Sequence, residues 1–197
     1  MKIKVGVMGS AGDAPGGGDG GGALRAKAEA LGRAVAARGC VMLTGGTTGL
    51  PHLAGAAAHA AGGLHVGVSP AADGREHAER YGLPHAATDL LVYTGFGLKG
   101  RNVVLVRSCD VVLIFSGGMG TLNELTIAHD EGRVVGCLTG TGGVADEAGR
   151  LLSVLPKRTS AVVLFDDEPE RLLERCLEAL RRVSQAAAAG PSAGAAG

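Results

Sequence analysis

Seven short apolar runs, most of them separated by segments with helical periodicity, constrain the fold of this chain more than any other feature of its sequence. The runs are Ile3 to Met8, Cys40 to Thr44, His65 to Val68, Leu90 to Tyr93, Val111 to Phe115, Val134 to Leu138 and Val162 to Phe165. Near-continuous apolar runs of this length are typical of strands buried on both faces of a parallel sheet. We therefore predict an α/β fold, a Rossmann-like doubly wound and mostly parallel sheet of about seven strands with helices on both faces.

Two segments carry apolar residues at the spacing of three to four that forms one buried helix face. These residues are Leu24, Ala28, Leu31 and Val35 in the first segment, and Leu172, Leu173, Cys176, Leu177 and Leu180 in the last. Residues 12–22 are too rich in glycine to favour a helix and predict a mobile loop. The small residues after Ser184 predict a disordered Ala/Gly-rich tail over residues 184–197, so we expect a single Rossmann-like domain over residues 1–183.

The amino-acid composition indicates which class of molecule the protein binds. Lys and Arg together number 19, as do Asp and Glu, and only 3% of residues are aromatic. We therefore expect a small-molecule ligand rather than nucleic acid or a membrane surface. The four cysteines lie far apart, which favours neither a zinc site nor a disulfide framework. Because the amino terminus lacks a long apolar segment, we expect no signal peptide and a cytoplasmic location.

A glycine-rich turn after the fifth run is the strongest candidate site. Gly117, Gly118 and Gly120 stand where a strand passes into a helix, and free backbone N–H groups and the helix dipole favour an anion there. Thr121 can cap that helix. Glu124 has two interpretations of equal weight at this point, since it can act on a ligand or complete a capping box with Thr121.

Three further turns follow strand-like runs. We count Gly9 and Ser10 after the first run, Gly45 and Gly46 after the second, and Thr94 and Gly95 after the fourth as candidate ligand contacts. Lys99 and Arg101 come next, at a helix N-terminus, a position that suits a phosphate attracted by both the cations and the dipole. His52 and His59 lie on the intervening Ala-rich helix, and we interpret them as ordinary imidazoles rather than metal ligands.

These motifs together resemble the Lonely Guy (LOG) superfamily, which was once mislabelled as lysine decarboxylases. The matching residues are Gly45-Gly46-x-x-Gly49-Leu50, Arg101-Asn102, Ser108-Cys109-Asp110 and Gly117-Gly118-x-Gly120-Thr121-x-x-Glu124. The superfamily contains cytokinin nucleoside 5'-monophosphate phosphoribohydrolases and, in a branch nearer to this sequence, the molybdenum-cofactor carrier proteins. The resemblance runs from about Lys2 to Phe165 and lies in the combination of motifs.

The resemblance implies that Arg101 and Glu124 form the catalytic pair and that Asn102 belongs to the ligand site. Three residues depart from the pattern of the hydrolases: Ser116 stands in place of a proline, Asn102 in place of a lysine and Asn123 in place of an acidic residue. At these three positions the sequence is more similar to the carrier branch than to the hydrolases.

We therefore expect a nucleotide-binding protein that hydrolyses the N-glycosidic bond of a nucleoside 5'-monophosphate to free base and ribose 5-phosphate, without a cofactor or a metal. Gly117 to Thr121 would hold the phosphate, Glu124 would stabilise the oxocarbenium-like transition state or direct water, and Arg101 would orient the ribose or phosphate. The alternatives are a non-hydrolytic carrier of molybdenum cofactor or a related phosphorylated ligand, and a nucleotide-sensing module. The Ala-rich helix over residues 51–61 and the resemblance together predict a homodimer or a higher homo-oligomer.

Overall fold

A computed structural model describes residues 1–11 and 19–189 of the chain. The strands are β1 (Lys4–Gly9), β2 (Val41–Thr44), β3 (Leu64–Ser69), β4 (Leu90–Tyr93), β5 (Val111–Phe115), β6 (Val134–Leu138) and β7 (Val162–Asp166). The helices are α1 (Asp19–Ala37), α2 (Gly49–Ala60), α3 (Gly97–Ser108), α4 (Met119–Asp130), α5 (Gly143–Val154) and α6 (Pro169–Ala189), and a five-residue π-helix spans Glu76–Arg80. All seven strands coincide with the predicted apolar runs to within about one residue, inside the usual uncertainty of element boundaries.

The seven strands form one parallel sheet in the order β4-β3-β2-β1-β5-β6-β7. The chain builds outward from β1 to β4 and then returns to pair β5 with the other side of β1, with Val5 opposite Val111. The strand order therefore reverses between β1 and β5, and ligands of open α/β sheets bind beyond the carboxyl ends of the strands at such a point. The fold class predicted from the sequence is confirmed.

Two apolar layers cover the sheet, one on each face. The first packs α1, α2 and α6 against one face, and it contains all four predicted face residues of α1. The second packs α3, α4 and α5 against the other face. Alternate residues of β1 and β5 enter opposite layers, with Val7 in the first and Met8 in the second. Burial on both faces explains why these strands read as continuous apolar runs.

The small residues of α2 serve packing within the chain. A Cβ on Gly32 of α1 would lie 2.1 Å from the carbonyl oxygen of Ala54, and a Cβ on Gly55 would lie 2.3 Å from the ring of His65. Since real Cβ atoms essentially never approach so closely, glycine is needed at both positions. The buried small residues of α2, which are Ala54, Gly55 and Ala58, thus have an intramolecular explanation. Its other alanines are partly or fully exposed and leave the predicted oligomer interface a prediction.

The ends of the first and last helices differ from the prediction. Helix α1 begins at Asp19, so the predicted loop is wrong for its last residues, and residues 12–18 lie outside the described part of the chain. The packed face of α1 offsets the low helix propensity of its first glycines. Helix α6 continues to Ala189, past the expected end of order at Ser184, because alanine has the highest helix propensity. Residues 190–197 lie outside the described part. Within residues 1–11 and 19–189, we find no helix with the length and apolar character needed to cross a membrane.

Candidate functional site

A cavity of about 240 Å³ lies beyond the carboxyl ends of the central strands. Its walls come from β1 and the residues after it, the turn after β2, the first turn of α2, and the first two turns of α3 and α4. The lining residues are Val7, Met8, Gly9, Ser10, Ala11, Gly45, Thr47, Pro51, Leu98, Arg101, Asn102, Gly118, Gly120, Thr121 and Glu124. Most of the predicted site residues therefore meet around one cavity at the switch point of the sheet.

The first turn of α4 supplies free donors to this cavity. Gly118 caps the helix without a side-chain hydrogen bond, and the first helical backbone bond runs from the Leu122 N–H to its carbonyl oxygen at 2.9 Å. Among the described residues, the N–H groups of Gly118, Gly120 and Thr121 have no hydrogen-bond partner. The Nζ of Lys99 lies 4.0 Å from the place that a Cβ on Gly120 would occupy. Free N–H groups, a helix dipole and an ammonium thus converge on a place suited to an anion.

The capping box considered for Glu124 is wrong. Helix α4 begins at Met119, two residues before Thr121, so Thr121 is the third residue of the helix rather than its cap. Gly117, with φ of 102°, turns the chain early enough for Gly118 to take the cap position. Glu124 therefore lies in the second turn of α4, facing the cavity, and capping no longer accounts for it.

Arg101 and Glu124 face each other across the cavity from α3 and α4. Each residue is 6% exposed, and the Nη1 of Arg101 lies 3.6 Å from the Oε1 of Glu124. This is an ion pair without a short hydrogen bond, and the Nε of Arg101 is buried with no partner among the described residues. A buried donor left unpaired costs about 1–3 kcal/mol, so the guanidinium can gain from a ligand that accepts its N–H.

Burial changes the acid–base properties of both groups. Desolvation raises the pKa of Glu124 from 4.5 to about 7, although Arg101 and Lys99 oppose this rise. Desolvation lowers the pKa of Arg101 below its usual value, and the charge of Glu124 partly opposes this fall. A carboxyl group that titrates near neutral pH can either give or take a proton under physiological conditions.

Gly45 makes room for Arg101. A Cβ on Gly45 would lie 2.1 Å from Arg101 Nη1, so no larger residue fits without displacing the guanidinium. A Cβ on Gly9 would lie 2.3 Å from the carbonyl oxygen of Phe115, which keeps β1 and β5 close at the cavity floor. The glycines of the two turns thus serve close packing as well as any contact with a ligand.

Ser116 adopts a left-handed backbone conformation, with φ of 56°. Its N–H donates to Thr141 Oγ1 at 3.0 Å, and the adjacent Gly117 N–H donates to Ser10 Oγ at 3.2 Å. Proline, with φ fixed near −65°, cannot adopt this conformation. The Ser116 departure from the hydrolase pattern therefore changes the backbone of the turn that leads to the anion site.

Four predicted residues do not line the cavity. The Gly117 N–H is used by Ser10, while Gly46 packs against Ser69 and Leu91. Thr94 donates from its hydroxyl to the Ser69 carbonyl oxygen at 2.8 Å, and the Gly95 N–H donates to the carbonyl oxygen of Ala71. Residues 94 and 95 lie away from the cavity because β4 is the edge strand, three positions from β1.

Sequence reasoning missed several residues that do line the cavity. They are Val7, Met8, Ala11, Thr47, Pro51 and Leu98. Thr47 directly follows Gly45-Gly46, so the second turn itself was a signal for it. Leu98 is 51% exposed at the start of α3, where a large apolar residue has no reason to sit on packing grounds.

The histidines and cysteines serve the fold. Buried His65 pairs through Nε2 with Thr44 Oγ1 at 2.9 Å and through Nδ1 with the Ala87 carbonyl oxygen at 2.6 Å. His59 Nδ1 lies 3.0 Å from Asp89 on the surface. All four cysteines are free and buried. In the part of the chain that the structure describes, no three His, Cys, Asp or Glu residues lie close enough to hold a metal ion.

Comparison with known proteins shows the family to which this chain belongs. The sequence matches the model of the SLOG cluster4 family over residues 2–173. The chain belongs to this family. SLOG denotes the superfamily that joins smf/DprA with LOG, so the LOG resemblance suggested by the glycine motifs is confirmed.

Two solved structures share the fold of this SLOG protein over most of their length. The X-ray structure of TM1055 has a TM-score of 0.78 at 28% identity and covers 90% of this chain and 99% of that chain. The molybdenum cofactor carrier protein from Chlamydomonas reinhardtii has a TM-score of 0.71 at 25% identity and covers 92% and 99% respectively.

A curated relative from Archaeoglobus fulgidus, named an uncharacterized protein, is 32% identical over 108 residues. That alignment covers 55% of this chain and 66% of the relative, so it spans just under two thirds of the relative's length.

Proposed function

We propose that this SLOG protein binds a small phosphorylated, nucleotide-like ligand in the cavity at the switch point. The observation that carries this proposal is the set of unpartnered N–H groups on the first turn of α4, beside the ammonium of Lys99. They supply donors and positive potential at one end of the cavity, where a phosphate fits. The organic part of the ligand then extends over Arg101 and Glu124 toward Leu98.

Hydrolysis of an N-glycosidic bond is the first candidate activity. The carboxyl group of Glu124 is buried in the cavity, is free of a capping role and has a pKa of about 7. In this reaction water attacks the anomeric carbon, the C–N bond breaks, and the departing base takes the bonding electron pair and a proton. Ionised Glu124 would stabilise the oxocarbenium-like centre or direct the water, and Arg101 would hold the ribose phosphate. The products are the free base and ribose 5-phosphate.

Carriage without turnover is the second candidate, and the turn at Ser116 favours it. This turn has a conformation that the proline of the hydrolase pattern cannot adopt, and the neighbouring Asn102 lacks the charge of the lysine in that pattern. The carrier protein from Chlamydomonas reinhardtii matches this fold over nearly its whole length. A carrier would use the same anion site for the phosphate of a pterin such as molybdenum cofactor, with Glu124 acting only as a ligand contact.

The test is a panel of nucleoside 5'-monophosphates and their matching nucleosides. We expect a monophosphate to raise the melting temperature through mass action and its nucleoside to do so much less. Equal shifts for both would contradict the phosphate site. Release of base from a monophosphate, lost in Glu124→Gln, supports the hydrolase. Binding of monophosphates without base release from any of them supports the carrier.

Association of two copies and a cytoplasmic location remain part of this proposal. The support for a dimer comes from the family resemblance and from the alanines that α2 leaves partly or fully exposed, since only its buried small residues pack within the chain. Light scattering at micromolar concentration tests it, and a monomer mass would contradict it. We also propose that the site works without a metal, which a chelator test of binding checks.

A further inference from the structure

Asn102 lies between the two helices that carry Arg101 and Glu124. It is 3% exposed and lines the cavity. With its Nδ2 turned toward Glu124, it donates to Glu124 Oε1 at 3.2 Å and to the Leu98 carbonyl oxygen at 3.0 Å, while its oxygen lies 2.9 Å from the Asn123 side-chain amide. In the opposite orientation Nδ2 donates to Asn123 Oδ1 at 2.9 Å, and the Asn102 oxygen faces those two acceptors instead. The first orientation therefore suits an ionised Glu124.

The opposite orientation is disfavoured by the backbone as well. In it the Asn102 oxygen would face the Leu98 carbonyl oxygen at 3.0 Å, and neither of these acceptors carries a proton. Lysine at this position could also donate, but it would add a positive charge. Asparagine thus offers the Glu124 carboxylate a donor without a charge.

Among the described residues, few charged groups face Glu124. Arg101 and Lys99 approach from α3, and they are the cations that act on its carboxyl group. Apart from Arg101 and Glu124, the lining residues from β1, the turn after β2, α2, α3 and α4 carry no charge. The Cys109 thiol, on which the charge of Glu124 also acts, stays protonated because burial raises its pKa to about 12. A third cation at position 102 would therefore change the charge balance of the cavity strongly.

We propose that Asn102 is a positioning residue for Glu124: its amide donates to the carboxylate and keeps it aimed into the cavity. The value of this arrangement to a ligand rests on the proposed function. The hydrogen bond joins two residues of the chain itself, so it can be tested in the ligand-free protein.

The test follows the carboxyl group of Glu124 by ¹³C NMR during a pH titration, with its resonance assigned by its loss in Glu124→Gln. Asn102→Lys should lower the midpoint by about one unit or more, a tenfold or larger change in acidity, since an opposite charge within hydrogen-bonding range lowers a carboxyl pKa by about 1–3 units. Val103→Lys is the matched control, because it adds the same charge to the exposed side of α3, and its midpoint should stay close to wild type.

Asn102→Ala removes the donor without adding charge, so the midpoint should rise as the carboxylate loses its hydrogen bond. If Asn102→Lys does not fold, Asn102→Asp should raise the midpoint instead, through like-charge repulsion. Equal midpoints in wild type and Asn102→Ala, or equal shifts in Asn102→Lys and Val103→Lys, would overturn the proposal. Failure of wild type to bind monophosphates would instead remove the proposed function and leave this result unaffected.

Discussion

Replacing Glu124 by Gln should change how the stability of the protein depends on pH. The folded-state pKa of Glu124 is about 7, against 4.5 for an ordinary glutamate. Between these values the folded protein holds a proton that the unfolded chain has released, so stability falls as pH rises through this window and levels off above the folded value. The difference of 2.5 units corresponds to about 3 kcal/mol in full, of which about 2–3 kcal/mol falls between pH 5 and pH 8.

Urea unfolding of wild type and Glu124→Gln at pH 5 and pH 8 measures this contribution. The quantity compared is the change in unfolding free energy between the two pH values in wild type minus the same change in Glu124→Gln. His65 and Asp166, whose pKa values are also lowered in the folded protein, contribute equally to both changes, so their contributions cancel. The free-energy cost of leaving Arg101 without a carboxylate partner in Glu124→Gln is the same at both pH values, so it cancels as well. Glu147→Gln, which removes a carboxyl group that is 55% exposed, is the matched control. The same pH dependence in wild type and Glu124→Gln would refute the reasoning from burial.

Three further predictions concern the cavity and the core. Gly45→Ala should displace Arg101 and weaken monophosphate binding at least tenfold in calorimetry. Gly22→Ala, whose added Cβ would have no described atom within 4 Å, should leave binding unchanged. Wild-type affinity in Gly45→Ala would contradict the packing argument. Lys99→Ala should also weaken binding about tenfold, as expected for a lost hydrogen bond to a charged group. Lys2 is exposed and serves as the control, so Lys2→Ala should leave the affinity unchanged. Equal loss of affinity in the two variants would argue against a local contact between Lys99 and the phosphate. Burial lowers the pKa of His65 in the folded protein. The stability that this gives above pH 6.5 should therefore be lost as the pH falls from 6.5 through the folded-state pKa, and His65→Asn should remove this pH dependence in acid unfolding. The same loss of stability at acid pH in wild type and His65→Asn would contradict this prediction.

The fold was predictable because its signals are local. Each strand is an apolar run with its own boundaries, and buried parallel strands leave that pattern in the sequence without reference to any partner. The glycine turn after β5 was predictable for the same reason, since Gly117 and Gly118 follow the strand directly. The limits of α1 and α6 were not, because tertiary packing and alanine propensity extended both helices into segments whose glycine and small-residue content suggested otherwise.

Contacts between elements that lie far apart in the sequence could not be predicted from it. Thr121 looked like a cap because glycine at a cap position leaves little signal, so the start of α4 was placed too late. The contact between Gly45 and Arg101 joins β2 to α3, and only the packed structure shows that the glycine is needed for the guanidinium. The position of Thr94 and Gly95 depends on strand order, which puts β4 at the edge and away from the cavity.

The most direct test of the central claim is an amide NMR titration of the ¹⁵N-labelled protein with a nucleoside 5'-monophosphate and, in parallel, with its nucleoside. The anion site consists of the N–H groups at the start of α4, so the amide resonances of Gly118, Gly120 and Thr121 report on it residue by residue. We predict that the monophosphate shifts these resonances downfield in a saturable way and that the nucleoside leaves them in place. Unchanged resonances at the start of α4, with the monophosphate bound elsewhere or not at all, would contradict the account.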